Sequence, residues 1–267
     1  FDRRSGKWVR CNPPMDQVNA LAEAETYRYL RNLEGLAHQP FYREDGQLVA
    51  TPGYDAVSMR FGAFDPAKYG SIGSTRAEAE AALAVLLGLL EEFPFASTSD
   101  RAAAVSAIFT AVLRPALELA PGYSVTAPSP GGGKSYLCEL ITLFASAGVT
   151  QRLSFPKREE EAGKVILSLL MTAPPVIEFD DMDSDWKAHS VINSLLTSQT
   201  VSDRKLGGNE MALVSTRTLV LGSGNNIEPA RDLRRRIVSI RLDPACANPA
   251  LRTFKGNPVG TMKADRE

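Results

Sequence analysis

Cysteine and histidine are scarce in this chain: Cys11, Cys138 and Cys246 of the first, His38 and His189 of the second, among 267 residues. The cysteines lie far apart and form no C-x-x-C pair, and two histidines are too few to complete a Cys/His zinc site. A disulfide scaffold and structural zinc are therefore excluded, and a reducing, cytoplasmic setting is expected. Also missing is any apolar run of the roughly 18 residues that a membrane-spanning helix needs. The longest, Ala81 to Leu90, is bounded by Glu78, Glu80, Glu91 and Glu92, so no membrane partner is expected. Nor does one sign of charge dominate, since 30 Lys/Arg face 31 Asp/Glu for a formal net charge of −1. The balance is uneven along the chain: residues 201–267 carry twelve Lys/Arg against seven Asp/Glu, a net of +5 that leaves −6 for the first 200. A basic end of this kind meets phosphates or is simply a solvated face. The chain opens at Phe1 with neither Met nor a charged-then-apolar leader, as expected of a fragment rather than of a secreted protein.

What is present is ordinary globular composition, 44% apolar and 23% charged, long enough to bury roughly three quarters of the unfolded surface. Residues 1–75 read as a small α/β accessory module, with a helix over about Met15–Leu33. A hairpin is expected where Glu44-Asp45-Gly46 separates Tyr42-Arg43 from Gln47–Ala50. Residues 76–119 read as a helical segment. Its first helix starts at a capping box made by Thr75 and Glu78, with Ala79, Leu83, Leu86, Leu87 and Leu90 at helical spacing. Its second runs from about Asp100, capped by Ser99 or Asp100, toward Pro115. From 120 to 245 short apolar strands alternate with helices, which predicts an α/β three-layer core around a largely parallel sheet. Residues 246–267 read as a truncated connection.

Within that core, the strand Tyr123–Ala127 runs into Pro130, Gly131, Gly132, Gly133, Lys134 and Ser135, followed by a helix with Leu137, Leu140, Ile141 and Phe144 on one stripe. This is the strand, loop and helix of a P-loop. Glycines let successive N–H groups converge on phosphate oxygens, and the helix N-terminus adds partial positive charge. Lys134 would reach the β- and γ-phosphates and Ser135 would offer its hydroxyl to Mg2+. Pro128 stands where G-x-x-x-x-G-K-[ST] has its first glycine, and a flexible glycine-rich surface loop has a similar composition. About 46 residues beyond Lys134, Val176–Asp183 is a strand ending in paired acids, with Glu178 interrupting its apolar run. Asp180 suits a metal carboxylate and Asp181 a group that polarises an attacking water; a loop of solvated acids is the alternative. A third strand, Thr218–Leu221, ends in Gly-Ser-Gly-Asn-Asn, where Asn225 can orient the lytic water or merely sit in a turn. Three arginines, Arg234 to Arg236, precede a further strand, as an arginine finger would or as a basic surface would.

In order, Gly-Gly-Gly-Lys-Ser, Ile-Glu-Phe-Asp-Asp, Ser-Gly-Asn-Asn and Leu-Arg-Arg-Arg resemble motifs A, B, C and the arginine finger of superfamily 3 helicases, a branch of the AAA+ ATPases. More closely, the chain resembles the helicase-type ATPase part of primase-helicase proteins of phages and mobile elements. Asp203-Arg-Lys-Leu-Gly and Asn248-Pro-Ala-Leu-Arg-Thr-Phe belong to that likeness. The resemblance implies an AAA+-like fold and a Mg-ATP-dependent motor on single-stranded DNA, acting as a homo-oligomeric, hexameric ring in replication of such an element. It also implies a primase module elsewhere in the full chain. Arg235 and Arg236 are then fingers toward a neighbouring subunit, and Arg204 and Lys205, on a hairpin between motifs B and C, contact DNA phosphates. A nucleotide-dependent loader or switch without unwinding activity is the alternative.

Overall fold

A computed structural model of the chain describes residues 4–7, 12–22, 24, 30–146, 151–204, 211–246 and 248–264. The chain divides into two compact units, Phe1–Asn32 and Leu33–Glu267. In the first, the described helix is α1, Met15–Ala22. The helix expected to continue to Leu33 does not, since Leu30 to Leu33 are outside any helix.

The second unit opens with short strands. β1 (Gly35–Ala37), β5 (Arg60–Gly62) and β4 (Gly53–Asp55) form one small sheet, and β2 (Phe41–Tyr42) pairs with β3 (Leu48–Val49) in the expected hairpin. Gly46 turns that hairpin at φ 78°, a backbone region only glycine enters freely. Helix α2 (Arg76–Leu89) starts where the capping box places it: Thr75 Oγ1 accepts from Glu78 N, and the Glu78 carboxylate accepts from Thr75 N. Its first turns are exposed on all sides, Leu83 included, and only Leu86 and Leu89 reach the core. Helix α3 (Thr98–Leu113) is capped by Ser97 instead of Ser99 or Asp100. Asp100 acts instead as the third helical residue, whose N–H donates to Ser97 Oγ. The helix ends at Leu113, two residues before Pro115, which has no N–H to carry the helical hydrogen bonds further.

The core is a five-stranded parallel sheet of β6 (Gly122–Ala127), β7 (Gln151–Leu153), β8 (Val176–Met182), β11 (Leu219–Asn225) and β12 (Ile237–Arg241), in the order β12-β6-β11-β8-β7. Helices α3 and α4 (Lys134–Ala145) cover one face, and α5 (Glu159–Leu170) with α6 (Ser190–Thr197) covers the other. Both faces are therefore dry, which is why these strands read as nearly continuous apolar runs. The sequence reading anticipated this three-layer arrangement, although it assigned no element to the stretch of α6. β9 (Thr200–Arg204) and β10 (Met211–Ser215) form the antiparallel hairpin expected between the acidic and the third strand.

The strand order has one consequence for chemistry. The loop-bearing strand β6 and the acid-bearing strand β8 are not neighbours; β11 lies between them. Polar side chains at the C-terminal end of β11 thus stand between the loop and the acids. Ligands of open parallel sheets bind at that end of the strands.

Candidate functional site

Alternation along β11 decides which of its residues face the loop. Leu219 and Leu221 pack on the α3/α4 side, so Ser223 and Asn225 share that face, while Gly222 and Gly224 turn toward Trp186 and Ile227. Asn225 Oδ1 accepts a 2.7 Å hydrogen bond from Lys134 Nζ, which also reaches Ser129 O at 3.4 Å. Ser223 Oγ donates to Asp180 Oδ1 at 2.7 Å. Ser135 Oγ donates to the same oxygen at 3.0 Å. Five side chains from three separate segments thus meet at one sheet edge.

β8 contributes its acids through an irregularity. Gly222 pairs with Phe179 and Gly224 with Met182, so Asp180 and Asp181 together oppose Ser223 alone, a β-bulge. Asp181 takes φ 48°, uncommon for a residue with a side chain, and its N–H donates to Asp180 Oδ1 at 3.0 Å. The extra residue restores Met182 to the same core as Ile177 and Phe179. It also leaves both carboxylates at the sheet edge.

The loop itself turns through left-handed glycines. Gly131 and Gly133 take φ of 78° and 93°, and a Cβ on Gly132 would come 3.0 Å from that of Ala127. Gly133 caps the N-terminus of α4, whose first residue is Lys134. Pro130 is exposed in the loop. The position taken by Pro128 needs no left-handed backbone here; its carbonyl accepts from Asn226 Nδ2 at 3.2 Å, which ties the loop to the end of β11.

Electrostatics fit an anion and a hard cation. Lys134 is 8% exposed, and burial pushes its ammonium pKa down against the charges of Asp181 and Asp180. Burial works to raise the Asp180 carboxyl, but hydrogen bonds from Ser223, Ser135 and the Asp181 N–H, with the charge of Arg152, outweigh it and hold Asp180 below the usual range. The residues present fit a triphosphate with Mg2+: a glycine loop, a poorly solvated lysine that has no carboxylate partner among the described residues, and the paired oxygens of Ser135 and Asp180. Among the described residues no group of three His, Cys, Asp or Glu could hold a metal ion. One carboxylate with a hydroxyl matches the way Mg2+ is held when phosphates and water complete its shell.

Sequence reasoning missed several partners. Ser223 was readable as an odd-numbered neighbour of Asn225, but its bond to Asp180 depends on the bulge. Glu178, read as a break in an apolar strand, is fully buried and paired with Arg152 Nε at 2.9 Å from the adjacent strand. The arginines separate in role: Arg236 bonds Asn193 Oδ1 within its own fold, while Arg235 is exposed, 3.5 Å from Asp232. Among the described residues neither bonds the loop or the acids. Lys205 lies outside the described residues, as does the side chain of Arg204. A cavity of about 550 Å3 is lined by Thr126, Pro128, Asn226, Glu228, Arg234 and Arg241 and includes none of Lys134, Ser135 or Asp180. It flanks the site without containing it. No helix among the described residues is long and apolar enough to cross a membrane.

No protein-family model matches the chain, and no curated protein does. Among solved structures, the JCV helicase bound to a thiazolopyridine-phenoxyphenyl acetamide is similar at 15% identity and TM-score 0.36 over 52% of this chain and 40% of that one. A second JCV helicase structure gives 14%, 0.33 and the same coverage. The apo NrS-1 C-terminal region gives 12% and 0.41 over 94% of this chain and 57% of that one. The chain thus spans 40% to 57% of the length of these neighbours. At these identities and TM-scores the likeness carries no argument about activity.

Proposed function

We propose that this chain is the Mg-ATP-hydrolysing motor domain of a superfamily 3-like DNA helicase that works on single-stranded DNA as a homo-oligomeric ring, in replication of a phage or mobile element. The observation that carries the reading is the sheet edge where Lys134, held by Asn225, stands beside Ser135 and Asp180, with Asp180 Oδ1 accepting from both Ser135 and Ser223. N–H groups of Gly131 to Gly133 and the start of α4 would receive the phosphates, and Lys134 would neutralise the terminal ones. Ser135 and Asp180 would hold Mg2+, which supplies charge stabilisation at the transferred phosphoryl group when bound. Asp181 and Asn225 would orient and polarise the attacking water. Exposed Arg235 suits a neighbour's site better than Arg236, which its own Asn193 restrains. Arg204 and Lys205 would grip the DNA backbone without reading sequence.

The test is turnover. Lys134→Ala should lower ATP hydrolysis by about 10²-fold or more, as loss of one transition-state cation does elsewhere. Asp180→Asn should do the same while retaining the hydrogen bonds of its neighbours. Parent-level hydrolysis by either folded variant refutes the site. Turnover stimulated by single strands and accompanied by strand displacement supports the motor; nucleotide binding with negligible turnover supports a loader or switch.

A further inference from the structure

A second cavity, about 310 Å3, opens against the glycine loop and the first turn of α4. That volume lies within the usual range for small-molecule sites, about 300–1,000 Å3. Its walls are Phe93 and Pro94, the backbone of the glycine run, Tyr136, and Phe254 and Pro258 from the C-terminal segment. The Phe93 and Tyr136 rings stack at 5.9 Å and 30°. Phe254 is 57% exposed, with the Arg252 guanidinium 5.0 Å over its ring. A group attached to phosphates in the glycine loop has an aromatic enclosure directly beside it.

We infer that this cavity holds a nucleobase by stacking alone and does not read its edge, so that the site accepts nucleoside triphosphates irrespective of base. This rests on the nucleotide reading above. The reason is the state of the polar groups in the wall. Glu92 Oε1 and Oε2 accept from Lys255 N at 2.9 Å and Gly256 N at 2.7 Å. The Tyr136 hydroxyl bonds Asn257 Oδ1 at 2.6 Å and Val259 N at 3.3 Å. Arg252 Nη2 donates to Glu92 O at 3.1 Å. These groups hold the wall together, and Pro94 and Pro258 offer no N–H at all. Every base has a π-face, whereas bases differ at their hydrogen-bonding edges. A site that makes no bond to an edge cannot reject the base that lacks it.

The experiment titrates the protein with the non-hydrolysable β,γ-imido analogues of ATP, GTP, CTP and UTP in Mg2+ and reads dissociation constants by calorimetry. The four should fall within about tenfold of one another, where a site built to bond one base edge discriminates by roughly 10⁴. Phe254→Ala, at an exposed position, should weaken all four alike by roughly 5- to 150-fold, the loss of one stacking partner. A wider spread overturns the inference, and a preference for the adenine and cytosine analogues would show Glu92 receiving an exocyclic amine. Unchanged affinities in Phe254→Ala overturn the placement of the base. If none of the four binds, or if Lys134→Ala binds them as the parent does, the nucleotide reading itself falls, and this inference with it.

Discussion

Glu178 and Asp180 are two residues apart on one strand and face the same side, yet their surroundings push them in opposite directions. Burial raises the Glu178 carboxyl above its ordinary value of 4.5, against the hydrogen bond and charge of Arg152. A carboxyl raised in the folded chain keeps its proton where the unfolded chain has lost it, so its contribution to stability is full below the unfolded value and is lost as pH rises through the folded one. Asp180, held below 3.8, has the other sign: its contribution is present above the unfolded value and is lost as pH falls through the folded one. Glu178→Gln should therefore remove a loss of stability that the parent suffers as pH climbs above 4.5. Arg152 is 42% exposed and can turn to water, so the variant should fold. Denaturant unfolding of both proteins across that window checks this; parallel pH profiles would mean that the buried charge is fully compensated. From sequence, Asp180 was legible as a candidate because paired acids end an apolar strand. Glu178 was not legible as a buried ion-pair partner, because Arg152 lies 26 residues away and meets it only through parallel pairing of β7 with β8.

Among elements, β11 is packed tightly at its glycines. Its glycines are not loosening a strand; they make room for a buried tryptophan, since a Cβ on Gly222 would lie 2.2 Å from Trp186 Cζ2. The Trp186 ring is fully buried, with its indole N–H donating to Ser124 Oγ at 2.9 Å across the sheet, so it cannot move aside. Gly222→Ala should cost about 1–3 kcal/mol or somewhat more through overpacking, seen as a lower denaturant midpoint at unchanged slope. A midpoint equal to the parent's would mean that Trp186 has an alternative seat. Local signals were strong where an element's ends carry their own chemistry: the box at Thr75 placed α2, and the glycine run placed α4. They failed where the competition was between neighbours a few residues apart, as when Ser97 rather than Ser99 capped α3.

At the scale of the whole molecule, the proposed ring demands that subunits complete each other's sites. Arg235 stands exposed on the 3-10 turn Arg231–Arg235 that leads into edge strand β12, paired with Asp232 at 3.5 Å and, among the described residues, bonded to neither the glycine loop nor the acids of its own chain. Lys134→Ala subunits carry an intact arginine, and Arg235→Ala subunits an intact loop. Each homogeneous population should be nearly inactive. Mixed assemblies should regain turnover at those interfaces where an intact loop meets an intact arginine. Size-exclusion with light scattering would establish mixing. Verified mixed rings that stay as inactive as the homogeneous ones count against a finger acting in trans.

Periodicity, caps, glycines and strand-end chemistry are local, and they are written in the order of residues. For that reason the α/β class, the loop at Gly131 to Ser135, the acids at Asp180 and Asp181 and the candidate Asn225 follow from the sequence by itself. Their meeting is not local. It depends on β11 inserting between β6 and β8, on alternation turning Ser223 and Asn225 to one face, and on a bulge keeping Asp180 against Ser135. Each of those is set by long-range pairing and by the volume of a buried Trp186, because a parallel sheet joins strands through crossovers and leaves their order to the packing of the helices around them.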